Sequence, residues 1–198
     1  MIIGITGGIG SGKSMVSSAF CSLDNTKYYH ADSEAKALIE SSSVIRNKII
    51  DVFGKESYID KKFNRKYISS LVFKEPSLLK KLNSIVHPFV NHHFKIFIKS
   101  QKKNTIIIYE NAILFETNGN SICNTVISVN APINIRIKRV INRDAVSEKY
   151  VKDVIENQWS DIKRNLLSNY IIYNIDKNET LLKIKDIYKI LTKKSLLF

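Results

Sequence analysis

The chain has 198 residues, 44% of them hydrophobic and 25% charged, the composition of an ordinary globular domain with enough chain to bury a core. Its net charge of +13 comes from 25 Lys and 6 Arg against 18 acids. The lysines are scattered as pairs such as Lys61-Lys62 and Lys102-Lys103, so the charge reads as base-composition bias or as attraction for a polyanion, nucleic acid or phosphorylated small molecule, which charge alone does not separate. No apolar run reaches the roughly 18 residues of a membrane span, which predicts no membrane partner and a cytoplasmic protein. Cys21 and Cys123, a hundred residues apart without CxxC or His-rich company, exclude a disulfide framework and a zinc site.

In chain order, the apolar stretch Ile2-Ile3-Gly4-Ile5 reads as a buried strand. Five of the seven glycines follow or interrupt it, all within the first twelve residues. Residues 13–23 then carry helical spacing, with Val16, Ala19, Phe20 and Leu23 on one face. Further strands are expected at 27–29, 105–109, 125–129 and 170–174. Helices are expected at 33–40, 44–53, 65–73, 77–100, 132–142, 147–157 and 180–191. Asp32, Ser147 and Asn178 read as N-caps, and Pro132 as the start of a helix. Continuous apolar strands alternating with helices predict a three-layer α/β fold with a five-stranded parallel sheet, in one domain. Residues 33–103 hold several helices and no good strand. They read as a helical insertion, leaving the core at about 1–32, 104–135 and 166–198.

Residues 7–14, Gly-Gly-Ile-Gly-Ser-Gly-Lys-Ser, match G-x-x-x-x-G-K-[ST] in full. Glycines let backbone amides curl around phosphate oxygens, and the loop leads into a helix N-terminus that favours an anion. This predicts nucleoside-triphosphate binding by Gly8, Gly10, Ser11, Gly12, Lys13, Ser14 and Met15. Lys13 supplies charge at the β/γ-phosphates, and the Ser14 hydroxyl is the expected Mg²⁺ ligand. No N-K-x-D box for guanine recognition appears, and no Asp-Glu pair follows a strand as in helicase-type ATPases. Asp32, at the end of the second strand, lies where α/β sheets place ligand-binding groups.

At this point the chain resembles the dephospho-CoA kinase family along nearly its whole length. The matching residues are Ile5–Ser14, Ala31-Asp32, Phe53-Gly54, Arg65, Leu71-Val72-Phe73, Leu82–Pro88, Leu114-Phe115-Glu116, Arg139, Arg143, Gln158, Arg164 and Asn174. His30 stands in place of an Asp, Met15 in place of a frequent Thr and Ala112 in place of Pro. Asn169-Tyr170 and Asp176 depart from the family's C-terminal pattern. The resemblance implies transfer of a phosphoryl group from ATP to the ribose 3′-hydroxyl of dephospho-CoA, with ATP and Mg²⁺ required and a helical lid at about 136–165. It implies catalytic roles for Asp32 as base, Lys13 and Arg143, and nucleotide contacts from Arg139 and Asn174. Substrate contacts fall to Asp32, Arg65, His87 and Glu116, in a monomer or weak homo-oligomer with no nucleic-acid partner. Read as residues alone, each has a second meaning. Asp32 is also a helix cap, Arg139 and Arg143 a solvated helix face, Arg65 a surface arginine and His87 a packing residue before Pro88. Glu116 is a cap or a ligand's partner, and Glu110 a carboxylate that could act through a Mg²⁺-bound water. The rival functions are another P-loop nucleoside or nucleotide kinase, and a basic nucleic-acid-binding ATPase.

Overall fold

In the computed structural model the structure describes residues 1–195, with side chains described throughout except at 73, 76, 194 and 195. Residues 196–198 of the expected core segment therefore lie outside the described residues. The described residues pack as two compact units, one of residues 1–30 with 102–195 and one of residues 31–101.

The first unit holds five parallel strands: β1 (Ile2–Thr6), β2 (Thr26–His30), β5 (Ile106–Glu110), β6 (Thr125–Asn130) and β7 (Tyr170–Tyr173), in the order β2-β5-β1-β6-β7. Every residue of β5 and β6 is buried, as a parallel strand covered on both faces requires. Ile3, Ile5, Ile108, Ile127 and Val129 form one core with Val16 and Phe20 of α1 (Lys13–Cys21) and Ile184 and Ile187 of α9 (Lys177–Ser195). At about 25 cal/mol per Å² of apolar surface, such fully buried side chains drive the assembly of this layer. Among the described residues, the remaining α-helices of this unit are α6 (Ile133–Asp144), α7 (Glu148–Glu156) and α8 (Asp161–Leu167). Ile137 and Val140 of α6 pack with Val151 of α7 in a smaller cluster that also takes in Ile9 of the glycine loop.

The second unit comprises α2 (Ala31–Ser41), α3 (Ser43–Phe53), a hairpin of β3 (Tyr58–Ile59) and β4 (Lys62–Phe63), α4 (Arg65–Lys74) and the 25-residue α5 (Pro76–Ser100). Ser42 and Asn64 cap α3 and α4 with their side-chain oxygens. The hairpin is unexpected. Its turn, Asp60-Lys61, takes positive φ at both positions without the glycine that usually announces such a turn.

Two expected caps are corrected. Asp32 is the second residue of α2, inside its first turn, and Asn178 is the second residue of α9. The α9 N-terminus is held instead by Asp176, whose Oδ1 accepts from Glu179 N at 2.9 Å. Ser147 does cap α7, accepting from Tyr150 N. Asn169 prolongs the β6–β7 pairing through bonds in both directions with Val126.

Candidate active site

The glycine loop joins β1 to α1 at the C-terminal end of the sheet. Gly12 immediately precedes α1 with φ of +90°, a left-handed conformation that costs glycine least. A Cβ there would also lie 1.9 Å from Asn174 Nδ2. Lys13 Nζ donates to the carbonyls of Gly7 at 2.9 Å and Gly8 at 3.2 Å, so its ammonium folds back across the loop. Ser11 is fully buried, whereas the Met15 side chain packs against the sheet core.

Ser14 and Glu110 meet across the sheet. The Ser14 hydroxyl donates to Glu110 Oε1 at 2.8 Å, while the Tyr28 hydroxyl donates to Oε2 and His30 Nε2 lies 3.6 Å from Oε1. Glu110 is 2% exposed, a buried carboxylate satisfied by its neighbours. Burial and the bond to Glu110 push the Tyr28 phenol well above its ordinary range.

A cavity of about 140 Å³ opens over the loop, lined by Gly10, Gly12, Lys13, Ser14, Arg139, Val140 and Arg143. The two arginines expected on one helical face thus share a pocket with the loop lysine. Among the described residues, Arg139 Nη1 is buried without a hydrogen-bond partner. Arg143 is 64% exposed and bonds Asp144 through two parallel contacts of 2.7 Å, which hold its guanidinium above the ordinary range. Asn174 is buried behind the loop. Its Nδ2 donates to Ser11 O at 2.9 Å and its Oδ1 accepts from Thr180, so its side chain serves the loop's shape. Glu116, in the segment after β5, is exposed.

In the second unit Asp32 is half-buried in the first turn of α2, and His87 lies within α5. Burial lowers the His87 pKa, and the charge of Asp32 partly opposes that shift, so the two side chains sense each other. Arg65 is exposed at the first position of α4.

Arg136 is a residue that motif reading missed. It is 3% exposed, its Nε donates to Ile9 O at 2.8 Å, and its Nη1 pairs with Asp161 at 3.0 Å. A signal was present: four of the six arginines fall between 136 and 164 in a chain that otherwise uses Lys. Arginine in a lysine-rich chain marks places that need its planar fork.

The dephospho-CoA kinase family model matches residues 1–179. The chain belongs to this family. A dephospho-CoA kinase of Fusobacterium nucleatum is 35% identical over 185 residues, covering 92% of this chain and 94% of its own. A solved structure from Thermus thermophilus has a TM-score of 0.82 at 25% identity, covering 98% of this chain and 97% of that one. A dephospho-CoA kinase from Campylobacter jejuni matches at a TM-score of 0.59 and 24% identity over 95% of both chains, a likeness of fold. The expected three-layer sheet fold and the family resemblance both stand, and the chain is a kinase.

Proposed function

We propose that this chain transfers the γ-phosphoryl group of ATP to the ribose 3′-hydroxyl of dephospho-CoA, giving coenzyme A and ADP. The observation that carries this reading is the complete phosphate loop, with Lys13, Arg139 and Arg143 lining one cavity, in a chain of this family. Phosphoryl transfer passes through a loose transition state, so positioning and charge stabilisation do most of the work. The loop amides and Lys13 hold the triphosphate; Arg139 grips the nucleotide with its unpartnered Nη1, and Arg143 neutralises charge on the moving phosphoryl. Asp32 orients the acceptor hydroxyl and takes its proton, while His87, Arg65 and Glu116 bind the substrate.

The donor set at the loop fits Mg²⁺. The Ser14 hydroxyl and Glu110 carboxylate are hard oxygens 2.8 Å apart, and Mg²⁺ is usually held by one or two such protein groups together with phosphate oxygens. Ser14 would be the direct ligand, with Glu110 accepting its proton or that of a bound water. The ion would supply neutralising charge at the β- and γ-phosphates.

ADP release measured with dephospho-CoA, nucleosides and nucleoside monophosphates as acceptors tests the reading. Turnover with dephospho-CoA is expected. Turnover confined to a nucleotide acceptor would replace it with the related nucleotide-kinase function.

A further inference from the structure

The buried charges behind the phosphate loop do not balance. Arg136 and Arg164 are 3% and 1% exposed, and both bond the same acid. Arg136 Nη1 donates to Asp161 Oδ2 at 3.0 Å, and Arg164 Nη2 to Asp161 Oδ1 at 2.6 Å. Two guanidinium groups on one carboxylate leave a surplus of one positive charge. Among the described residues, Arg136 Nη2 and Arg164 Nε and Nη1 are buried with no hydrogen-bond partner. Such an arrangement is costly in a low dielectric unless a further anion lies close.

This network bears directly on the loop. A Cβ on Gly8 would lie 2.0 Å from Arg136 Nη2, and one on Gly10 would lie 2.5 Å from the Arg136 carbonyl. The Arg136 backbone therefore leaves no room for a side chain at 10, and the Arg136 guanidinium fills the space that a Cβ at 8 would take. The residue between them is clasped on every side. Ile9 N donates to Gln158 Oε1 at 2.9 Å, Ile9 O accepts from Arg136 Nε, and the Ile9 side chain packs on Ile137, Val140 and Val151. Burial and the neighbouring Arg164 lower the Arg136 pKa while Asp161 raises it, as expected for an incompletely neutralised cation.

We propose that Arg136, braced by Asp161 and Arg164, is an internal counter-charge for a polyphosphate: it moulds the loop at Gly8–Gly10 and strengthens phosphate binding without touching the ligand. The inference rests on the ATP-binding reading of the loop given above. Arg136 is a positioning residue, and its effect must scale with the charge of the ligand.

Calorimetric titration of ATP and of adenosine, without acceptor, against the parent, Arg136→Gln, Arg136→Lys and Asp161→Asn tests it, with urea unfolding to verify that each variant folds. Arg136→Gln should weaken ATP binding on the order of tenfold, as for charges some 10 Å apart at an effective dielectric near 20. Adenosine binding should change less than twofold. Arg136→Lys should recover most of the ATP affinity, and Asp161→Asn, which enlarges the surplus, should bind ATP at least as tightly as the parent. Equal ATP affinity for Arg136→Gln and the parent, equal losses for ATP and adenosine, or no rescue by lysine would overturn the proposal. So would a tenfold loss in Asp161→Asn, which also decides the matter alone if Arg136→Gln does not fold. A parent that fails to bind ATP overturns the loop reading itself, a result distinct from an indifferent Arg136→Gln.

Discussion

The Ser14 hydroxyl donates to Glu110 Oε1 at 2.8 Å, joining the first turn of α1 to the last residue of β5. The bond directs the Ser14 proton toward the carboxylate and leaves the oxygen lone pairs for a cation. Glu110→Gln keeps the shape and an acceptor oxygen but removes the charge. The Mg²⁺ concentration giving half-maximal tightening of ATP binding should rise about tenfold, the low end for outer partners of a metal ligand. ATP affinity without metal should not fall, and should rise as a negative charge beside the phosphate site is removed. An unshifted Mg²⁺ dependence would reduce Glu110 to a core polar residue.

Arg143 stands on the cavity rim with its fork on Asp144, and both groups are accessible to solvent. An exposed pair of this kind contributes little to stability. Arg143→Lys keeps the charge and loses the planar fork with which an arginine can grip two phosphate oxygens. A tenfold or greater fall in kcat, with the urea midpoint unchanged, is expected. Parent-like kinetics in both Arg143→Lys and Arg143→Ala would make it a solvated surface arginine.

The sheet and the loop were legible because both are written in local chemistry: β-branched runs for the strands, and glycines beside Lys13 and Ser14 for the loop. What escaped has physical reasons. In α8 the apolar residues Ile162, Leu166 and Leu167 are 75%, 81% and 55% exposed, while the buried position is Arg164. Periodicity of hydrophobic residues cannot find a helix that buries its charge. The β3–β4 hairpin has two residues per strand, too short for alternation to register. Arg136 belongs to no motif, since its partners Ile9 and Asp161 lie 127 and 25 residues away. Asp176, counted as a departure from the family pattern, does the capping work in α9.

Both cysteines are held protonated. Burial, with the charge of Glu110 adding to it, raises the Cys21 pKa to about 11 despite a bond with Thr26, and burial raises Cys123 to about 12, from an ordinary 9.0. A raised folded-state pKa means that the unfolded chain loses its proton first. The associated stability is full below about pH 9 and is lost as pH climbs toward 11–12. The urea midpoint should therefore fall between pH 9 and 11, and fall less in Cys21→Ala, where one such thiol is gone. Iodoacetamide should modify both thiols far more slowly than free cysteine at pH 8. Alkylation at the free-cysteine rate would show that burial does not control them.

Substitution at Asp32 tests acceptor chemistry separately from nucleotide binding. It occupies the second position of α2, two residues beyond the end of β2, where its charge also favours the helix N-terminus. Asp32→Asn should therefore cost no more than about 1 kcal/mol of stability, since the dipole interaction of a first-turn acid is of that size. The amide cannot accept a proton, so transfer to the 3′-hydroxyl should slow by roughly 10²–10⁴. The lower half of that range is expected, because a loose transition state asks less of its base. ATP affinity should stay within a few-fold, as the loop and Lys13 are untouched. An independent marker is His87, whose pKa the Asp32 charge raises against burial. Removing that charge must lower the His87 pKa further, which a proton NMR titration of parent and variant reads directly. ATP binding and dephospho-CoA turnover measured on one preparation then decide the role. A joint loss assigns Asp32 to the nucleotide or the fold, unchanged turnover leaves it a helix-stabilising acid, and selective loss of turnover with a lowered His87 pKa makes it the base.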